Sequence, residues 1–593
     1  MHSTHRKNRL SGNSNILATE KTVNFQLYCG AAAQYWLDAT DHQRAWRDLQ
    51  EACPWATPYQ SPDFARVWFR HYAAVWVPVL IIATNTEGVL TGLLPLTRRG
   101  REIVGVGARQ AEYQGWISSA ENIREFLDGA LNVLFQAWPD AHLCLRYIDV
   151  TDALGHFLAW AECRDNVVLD THDRPLMELD VNAINTVLRK RANRSKLNRL
   201  KQAGELVLKK NGLATNITAS LNEISTFYDF RQGATNDSCP FVDDEHKRAF
   251  HLDWLAQAPG QLCMFRMLLN GRTVAALLGV PGPRRISNAI IAYSPHYARH
   301  SPGKLLLYQV AQSLLGSEVD NLDLTPGNDS WKERFATHHD QVYELNAWRD
   351  AALVRSRQRR DRVKAAIHRV LVVIKLPPLT LRNWQARLRR IRPRSVWNLV
   401  RKILPRHTEY RIYRIRLDHL AALPAAAMVD TGPPPRIDAL DDLVHYSPVA
   451  AWQSRQKFLS AALERIERGE RVYSARTDGV LLHYGWRVRE QSEAFFTEVG
   501  TKYHYPEPGT VLYDFFTHPK ARGQGWYQRT LACMLRDLES ATDGGPRVVY
   551  ISVLADNEAS RHVIEKLGFD YLESLIRVSA FGWSRRYQRV SRG

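Results

Sequence analysis

The stretch Tyr513-Asp514-Phe515-Phe516-Thr517-His518-Pro519-Lys520-Ala521-Arg522-Gly523-Gln524-Gly525-Trp526-Tyr527 decides how this chain is read. A β-prone aromatic run stops at His518-Pro519, a basic loop with two glycines follows, and then Tyr527, Leu531, Met534, Leu535 and Leu538 recur at helical spacing. A strand, a glycine loop and a helix in that order can turn several backbone N–H groups toward one anion. Gly523 and Gly525 remove the side chains that would block the approach, and the helix N-terminus adds positive potential. Pyrophosphate is the natural guest. A G-x-G turn on its own also reads as an ordinary tight turn, so the flanking sequence has to choose.

Downstream, the strand Val548–Leu554 leads to Asn557, a good helix N-cap, then to Val563, Ile564 and Leu567 at core spacing and a Gly568-Phe569 stop. Upstream, the pattern predicts a helical region over about 448–469 and strands over 471–477, 480–489, 493–500 and 510–517. Helices are expected over 525–540 and 558–567. The loop and the segment Asn557-Glu558-Ala559-Ser560-Arg561-His562-Val563-Ile564-Glu565-Lys566-Leu567-Gly568-Phe569 resemble the cofactor loop and following helix of the GCN5-related N-acetyltransferases, the GNAT superfamily. The resemblance covers about residues 408–593. It implies two parallel strands that splay apart, with acyl-CoA, most simply acetyl-CoA as acyl donor, held along Phe515, Phe516 and Thr517. Its pyrophosphate would lie on Arg522, Gly523, Gln524, Gly525, Trp526 and Tyr527, and Asn557 would match the cofactor-contacting Asn of the family.

Two departures from the family pattern stand out. Counted from Arg522, the sixth loop position is usually Gly or Ala and here is Tyr527; counted from Lys520 both glycines fit, but Lys stands where the family has Arg or Gln. The position of the Tyr that often protonates the leaving thiolate holds Ile564. The chemistry also needs a base, because an amine of pKa about 10 is protonated at neutral pH and must lose a proton before it attacks a thioester. Asp514, Glu498 and His504 are the candidate bases, and Tyr513 the candidate acid, with Tyr503, water or departure of the thiolate itself as alternatives. Asp514 and Glu498 equally fit solvated surface positions.

The long N-terminal half repeats the two pieces more faintly. Ala292-Tyr293-Ser294-Pro295-His296-Tyr297-Ala298-Arg299-His300-Ser301-Pro302-Gly303-Lys304-Leu305-Leu306 again reads strand, loop, glycine, helix, and Asp323-Leu324-Thr325-Pro326-Gly327 with Trp331-Lys332-Glu333-Arg334-Phe335 reads strand, turn, short helix. With Leu94-Pro95-Leu96 and the Glu112-Tyr113-Gln114-Gly115 turn, residues 25–348 resemble the BioF2-like acetyltransferases, which are similar to the FemAB-type transferases of bacterial cell-wall peptide synthesis. A second candidate site follows: Ser301, Gly303 and Lys304 as an anion-binding turn, with Asp323 and Lys332 at charged positions of the family pattern. The structural alternative is a well-started helix and a buried Asp/Lys pair that pins two elements. The basic run Arg189, Lys190, Arg191, Arg194, Lys196 and Arg199 reads as a solvated helix face or as a partner for an acidic substrate.

Length and composition frame these motifs. At 593 residues, with 45% hydrophobic, 10% aromatic and 24% charged residues, the chain is long enough for several globular domains and too ordinary for wholesale disorder. Seven cysteines at no metal or Cys-x-x-Cys spacing point to a reducing compartment and no structural metal. The polar start and the lack of a ~20-residue apolar run predict a cytoplasmic protein without a membrane span. The net charge of +18 is concentrated: residues 351–420 hold 20 Lys and Arg against Asp361, Glu409 and Asp418. Two amphipathic patterns there, split by Pro377-Pro378, could pack on the protein, rest on an anionic membrane at its inner face or touch nucleic acid, the last disfavoured by few interleaved aromatics. No G-x-S-x-G elbow, complete P-loop, H-E-x-x-H or G-x-G-x-x-G occurs.

The expectation is an α/β (α+β) chain of three GNAT-like mixed-sheet units: a tail over 1–24, paired halves over 25–170 and 171–350, a basic helical connector over 351–407 and a C-terminal GNAT domain over 408–593. Its function would be acyl transfer from an acyl-CoA to an amine by direct attack. The acceptor would be a small molecule or, as the FemAB-like half implies, a cell-envelope or exopolysaccharide precursor. A reading of another class makes the N-terminal module a non-catalytic binding or scaffold unit, with a basic segment for membrane or nucleic acid.

Overall fold

A computed structural model describes residues 23–150, 153–211, 216–327, 329–355, 406–418, 432–449, 453–540, 547–580 and 583–590. Nearly all of the basic connector expected over 351–407 lies outside them. The chain is mixed α/β and divides into two compact units, each assembled from separated stretches. One comprises Met1–Glu178, Pro281–Ser287 and Asp323–Gln358; the other comprises Leu179–Val280, Asn288–Leu322 and Arg359–Gly593.

In the first unit the strands lie in the order Asn24–Cys29, Val77–Thr84, Leu90–Arg99, Glu102–Gly105, His142–Ile148, His338–Ala347, Val167–Glu178. Pairing is antiparallel except between Glu102–Gly105 and His142–Ile148. Val79 to Ala83 are buried without alternation, the signature of a strand covered on both faces. Two short helices, Ala31–Asp38 and Thr40–Ala52, are separated where Ala39 is extended.

The second unit contains an antiparallel set of strands, Leu206–Asn211, Cys263–Leu269 and Arg272–Gly282, and a larger sheet whose elements are numbered here on their own. Its strands are β1 (Arg406–Arg416), β2 (Arg436–Ile437), β3 (Arg471–Thr477), β4 (Val480–Phe496), β5 (Thr501–Thr517), β6 (Val548–Leu554), β7 (Asp570–Ala580) and β8 (Trp583–Val590). They lie in the order β2-β3-β4-β5-β6-β1-β7-β8, and only β5 and β6 run parallel. The separate strand expected over 493–500 does not exist: β4 and β5 form one long hairpin, and irregular register near Gln491 bends it at the gap between the two expected strands.

Helices α1 (Ile217–Asn236), α2 (Arg455–Glu467), α3 (Trp526–Glu539) and α4 (Glu558–Lys566) complete the layers of this unit. α3 and α4 place Leu531, Met534, Leu535, Leu538, Ile564 and Leu567 in one apolar core with Leu512, Val549 and Ile551 of the parallel strands. Phe458, Leu459 and Trp486 form a second core that takes in Phe230 and Cys239. A Cβ on Gly233 would come within 2.4 Å of Leu459, so the missing side chain lets α1 and α2 close on each other. Arg455 clasps Asp243 with two bonds of 2.7 and 2.8 Å across the same seam.

Candidate active site

β5 and β6 pair at only three positions, Thr510 with Val549, Val511 with Tyr550 and Leu512 with Ile551. Beyond them β5 follows β4, through Phe516 opposite Tyr484, while β6 follows β1, through Leu554 opposite Tyr410. The parallel strands therefore part, leaving backbone of Tyr513–Thr517 and Ser552–Leu554 unpaired with each other. The parting has a local cause. Asp514 has φ +48° and forms a bulge in which two residues of β5 stand opposite Gly485. A Cβ on Gly485 would sit 2.3 Å from the Phe515 ring, so only glycine admits the bulged strand there.

At the end of β5, Pro519–Ala521 forms a 3-10 turn capped by His518, and the loop then passes through Gly523 and Gly525, both at φ +77°. A left-handed Gly525 is the N-cap of α3 and offers no side-chain cap. Among the described residues, the backbone N–H groups of Gly523, Gln524, Gly525, Trp526 and Tyr527 have no acceptor. Trp526 also buries an indole N–H with no acceptor among the described residues. The Arg529 guanidinium lies 4.1 Å from the Trp526 ring centre. Unpaired donors, a helix N-terminus and a cation converge on one loop, which is what a pyrophosphate-bearing donor requires. The residues present fit that group.

The candidate side chains separate in space. Phe515 packs edge-on to Tyr527, ring centres 5.0 Å apart, whereas Phe516 turns to the other face and stacks on Tyr484 at 5.4 Å. Thr517 shares its hydroxyl with His483 Nδ1 at 2.9 Å. Burial, aided by Arg529, pushes the His483 imidazole down to about 3. Asn557 caps α4 by accepting from the Ser560 N–H at 3.2 Å, and Ile564 is wholly buried in the core.

Asp514 is held by Arg465, whose guanidinium lies 5.0 Å from both the Trp486 and Tyr513 ring centres. The Tyr513 hydroxyl donates to Glu470, which also accepts from Arg468 at 2.9 Å. Burial pushes the Tyr513 phenol up. Glu498 lies exposed in the hairpin turn and accepts from the Thr497 hydroxyl at 3.1 Å. The bent hairpin carries that turn back to β1: Phe496 lies 5.0 Å from Tyr410, and the Glu498 and Asp514 carboxylates both act on the Tyr410 phenol. Burial first, then those carboxylates, push Tyr410 up to about 12, and its hydroxyl is hydrogen-bonded to Ser552 on the parted part of β6. Tyr527 is bonded likewise to Ser560. His504 is exposed and lies 3.6 Å from Glu493, and Tyr503 donates to the buried Glu573. Arg465, Glu470, His483, Arg529 and Tyr410 were not singled out from sequence. Only Arg529, one helical turn after Gly525, carried a local signal.

The candidates of the N-terminal half fall in different units: Ser301, Gly303 and Lys304 in one, Asp323 and Lys332 in the other. Asp323 and Lys332 both bond to Thr325. Asp323 accepts from the Tyr113 hydroxyl and from the Thr325 N–H at 2.8 Å, with buried Arg174 at 3.7 Å. Lys332 donates to the Thr325 and Pro326 carbonyls, each at 3.1 Å, and so holds a turn in which Thr325 has φ +64°. Arg174 also bonds Asp149 at 2.6 Å and is clasped by Asp340, so Asp340 holds a buried cation in place. Among the described residues no group of His, Cys, Asp and Glu is arranged to hold a metal ion, and no helix is long and apolar enough to cross a membrane.

Two stretches of the chain match acetyltransferase (GNAT) domain families, residues 189–333 and residues 434–570. No curated protein matches the chain. Among solved structures, FemX aligns over 52% of this chain and 96% of its own at 10% identity, with a TM-score of 0.36. The L-PGS of Bacillus licheniformis aligns over 52% and 92% at 11% identity, with a TM-score of 0.34. A tandem GNAT protein from the clavulanic acid biosynthesis pathway aligns over 55% and 98% at 12% identity, with a TM-score of 0.32.

Proposed function

Since the chain belongs to the GNAT superfamily of acyltransferases, we propose that its C-terminal domain, residues 408–593, transfers an acetyl group from acetyl-CoA to an amine in a ternary complex. The observation that carries this reading is the set of five N–H groups, Gly523 to Tyr527, left without acceptors among the described residues at the N-terminus of α3, next to the parted strands. When bound, acetyl-CoA supplies the activated thioester. Arg522 to Tyr527 would hold its pyrophosphate, and Phe515 to Thr517 with Asn557 would line its arm.

The residues of the chain then position and move protons. Glu498 is the preferred base among the three candidates, because the Asp514 carboxylate is committed to Arg465 and His504 points to Glu493. Glu498 takes the amine proton, the nitrogen forms a bond to the acyl carbon, and the carbon–sulfur bond breaks. Sulfur leaves as a thiolate and takes a proton. Tyr513 is committed to Glu470, so Tyr527, bonded to Ser560 in the turn before Ile564, is the better-placed hydroxyl. Asp514 and Tyr513 act by fixing the bulge.

A companion reading, in which the N-terminal half acts on a cell-envelope or exopolysaccharide precursor, rests on its resemblance to the FemAB-type transferases; the match over 189–333 supports acyl transfer there without naming an acceptor. In that reading the +17 segment would meet an anionic membrane from the cytoplasmic side. The test of the main proposal is calorimetric titration of acetyl-CoA into the full-length chain. One molecule bound per chain, followed by acetylation of an amine panel, supports it; absence of binding overturns the assignment of acetyl-CoA.

A further inference from the structure

Helix α2 is held at both ends by residues distant in sequence. At its start Arg455 clasps Asp243 with bonds of 2.7 and 2.8 Å, and Gln456 donates from Nε2 to the Thr235 carbonyl at 2.9 Å. Asp243 is itself fixed. It accepts from the Cys239 N–H at 2.8 Å, and the turn that carries it is pinned by buried Asp229 of α1, which accepts from the Phe241 and Val242 N–H groups at 2.9 Å each. Near the other end of α2, Arg465 holds Asp514 in the bulge of β5. Ten residues of helix, about 15 Å, separate the two arginines. The apolar contacts follow the same line. Phe230, Ala234 and Cys239, from the stretch matched over 189–333, share one core with Phe458, Leu459 and Trp486, and Tyr513 and Phe516 of β5 pack against it. Within that core Phe458 lies 5.1 Å from Tyr484, which stacks on Phe516 at 5.4 Å.

We propose that Asp243 is a positioning residue of the C-terminal acyl-transfer site: it sets the tilt of α2 and, through Arg465, the place of Asp514 and its bulge. The proposal rests on the acyl-transfer reading above. The Arg455–Asp243 pair is partly exposed, at 22 and 41%, so it contributes little to stability. What its two parallel bonds fix is direction. A rod of about 15 Å tilted by ~5° moves its far end by ~1 Å, and a close-packed core passes such a shift on rather than absorbing it. Misplacement of that size at a reacting centre can cost up to ~100-fold. The loop of Gly523 to Tyr527 opens α3, not α2, so donor binding is spared while the strand beside the thioester moves. The C-terminal domain is then an enzyme that takes part of its frame from the preceding GNAT-matched stretch.

The experiment uses the full-length chain, steady-state acetylation kinetics and hydrogen exchange read over residues 510–517. Asp243→Asn should lower kcat about fivefold, leave KM for acetyl-CoA within about twofold and move Tm by less than about 2 °C. Exchange over 510–517 should quicken at least about threefold. Arg455→Gln should cost the same, and the double variant no more than either, as one shared interaction requires. Where Asp243→Asn fails to fold, Gln456→Ala serves: it gives up only the bond to Thr235 and should lower kcat about twofold with KM again spared. Unchanged kcat, losses that add in the double variant, or a kcat loss that only tracks a fall in Tm would overturn the proposal. Exchange is read without any donor. A chain that transfers no acetyl group overturns the acyl-transfer reading, whereas unquickened exchange over 510–517 overturns the role of Asp243, and each result stands without the other.

Discussion

The two loops that open helices Trp526–Glu539 and Pro302–Leu314 belong to the two GNAT-matched stretches and lie within one compact unit, yet they gather positive potential differently. At Gly523–Tyr527 it comes from the main chain, with two glycines at φ +77°. The Ser301 loop has no left-handed glycine, a proline at the first helical position lacks its N–H, and cationic side chains take over. A main-chain site is fixed by backbone dihedrals and is strained by any Cβ at its left-handed positions. A side-chain cluster keeps its helix when any one member is lost.

Gly525→Glu should break this contrast most sharply. At φ +77° any L-residue is strained, and the new carboxylate would stand on the N-terminus of α3. Acetyl-CoA affinity should fall at least ~100-fold, close to 3 kcal/mol, in calorimetry of the full chain. A Gly525→Glu chain that still binds acetyl-CoA normally would show that the main-chain donors are not the site.

Glu498→Gln tests the chemistry that only the C-terminal loop is expected to serve. Loss of a general base should lower kcat by ~100-fold or more with little change in acetyl-CoA affinity. Asp514→Asn should cost about tenfold, through the bulge it shares with Arg465. Equal effects of the two substitutions in steady-state kinetics would remove the distinction drawn between them.

These assignments mark how far the sequence could be read. The glycine pair, the Asn557 cap, the strand ends at Thr477 and Leu554 and the buried Ile564 were legible because each is written in a local pattern: a turn residue, a cap or an apolar spacing. The hold of Arg465 on Asp514, the bond from Tyr513 to Glu470 and the return of Glu498 to Tyr410 span 49 residues, 43 residues and most of the sheet. Such pairs are set by bulges and by the bending of β4 and β5, which no periodicity encodes. Nor does any local pattern encode the clasp of Arg455 on Asp243, 212 residues away.

Acid should strain both stretches to a similar degree. His251 in the first and His483 in the second are buried and neutral, each pushed down to about 3 from the ordinary 6.5, first by burial. Unfolding lets each take up a proton, so the stability they contribute is complete above about pH 6.5 and is lost as pH falls toward 3. At pH 5 each histidine should cost about 2 kcal/mol. Denaturant titrations from pH 8 to 5 should show this fall, and His251→Gln or His483→Gln should each flatten it by its own share. A slope that neither substitution changes would assign the acid sensitivity elsewhere.

The smallest expected effect is the most discriminating, because its sign differs between the loops. Ser301 occupies a left-handed conformation that suits glycine better, so Ser301→Gly relieves backbone strain, partly offset by the greater freedom of glycine in the unfolded chain. The result should be a gain of about 0.5 kcal/mol and a slightly higher Tm. Gly525→Ala, the reverse exchange at the matching cap, should lower both stability and acetyl-CoA affinity. A rise in Tm at Ser301 against a fall at Gly525 is what left-handed backbone at both caps requires; a fall at both would mean that the hydroxyl held by Lys196 outweighs the strain at Ser301.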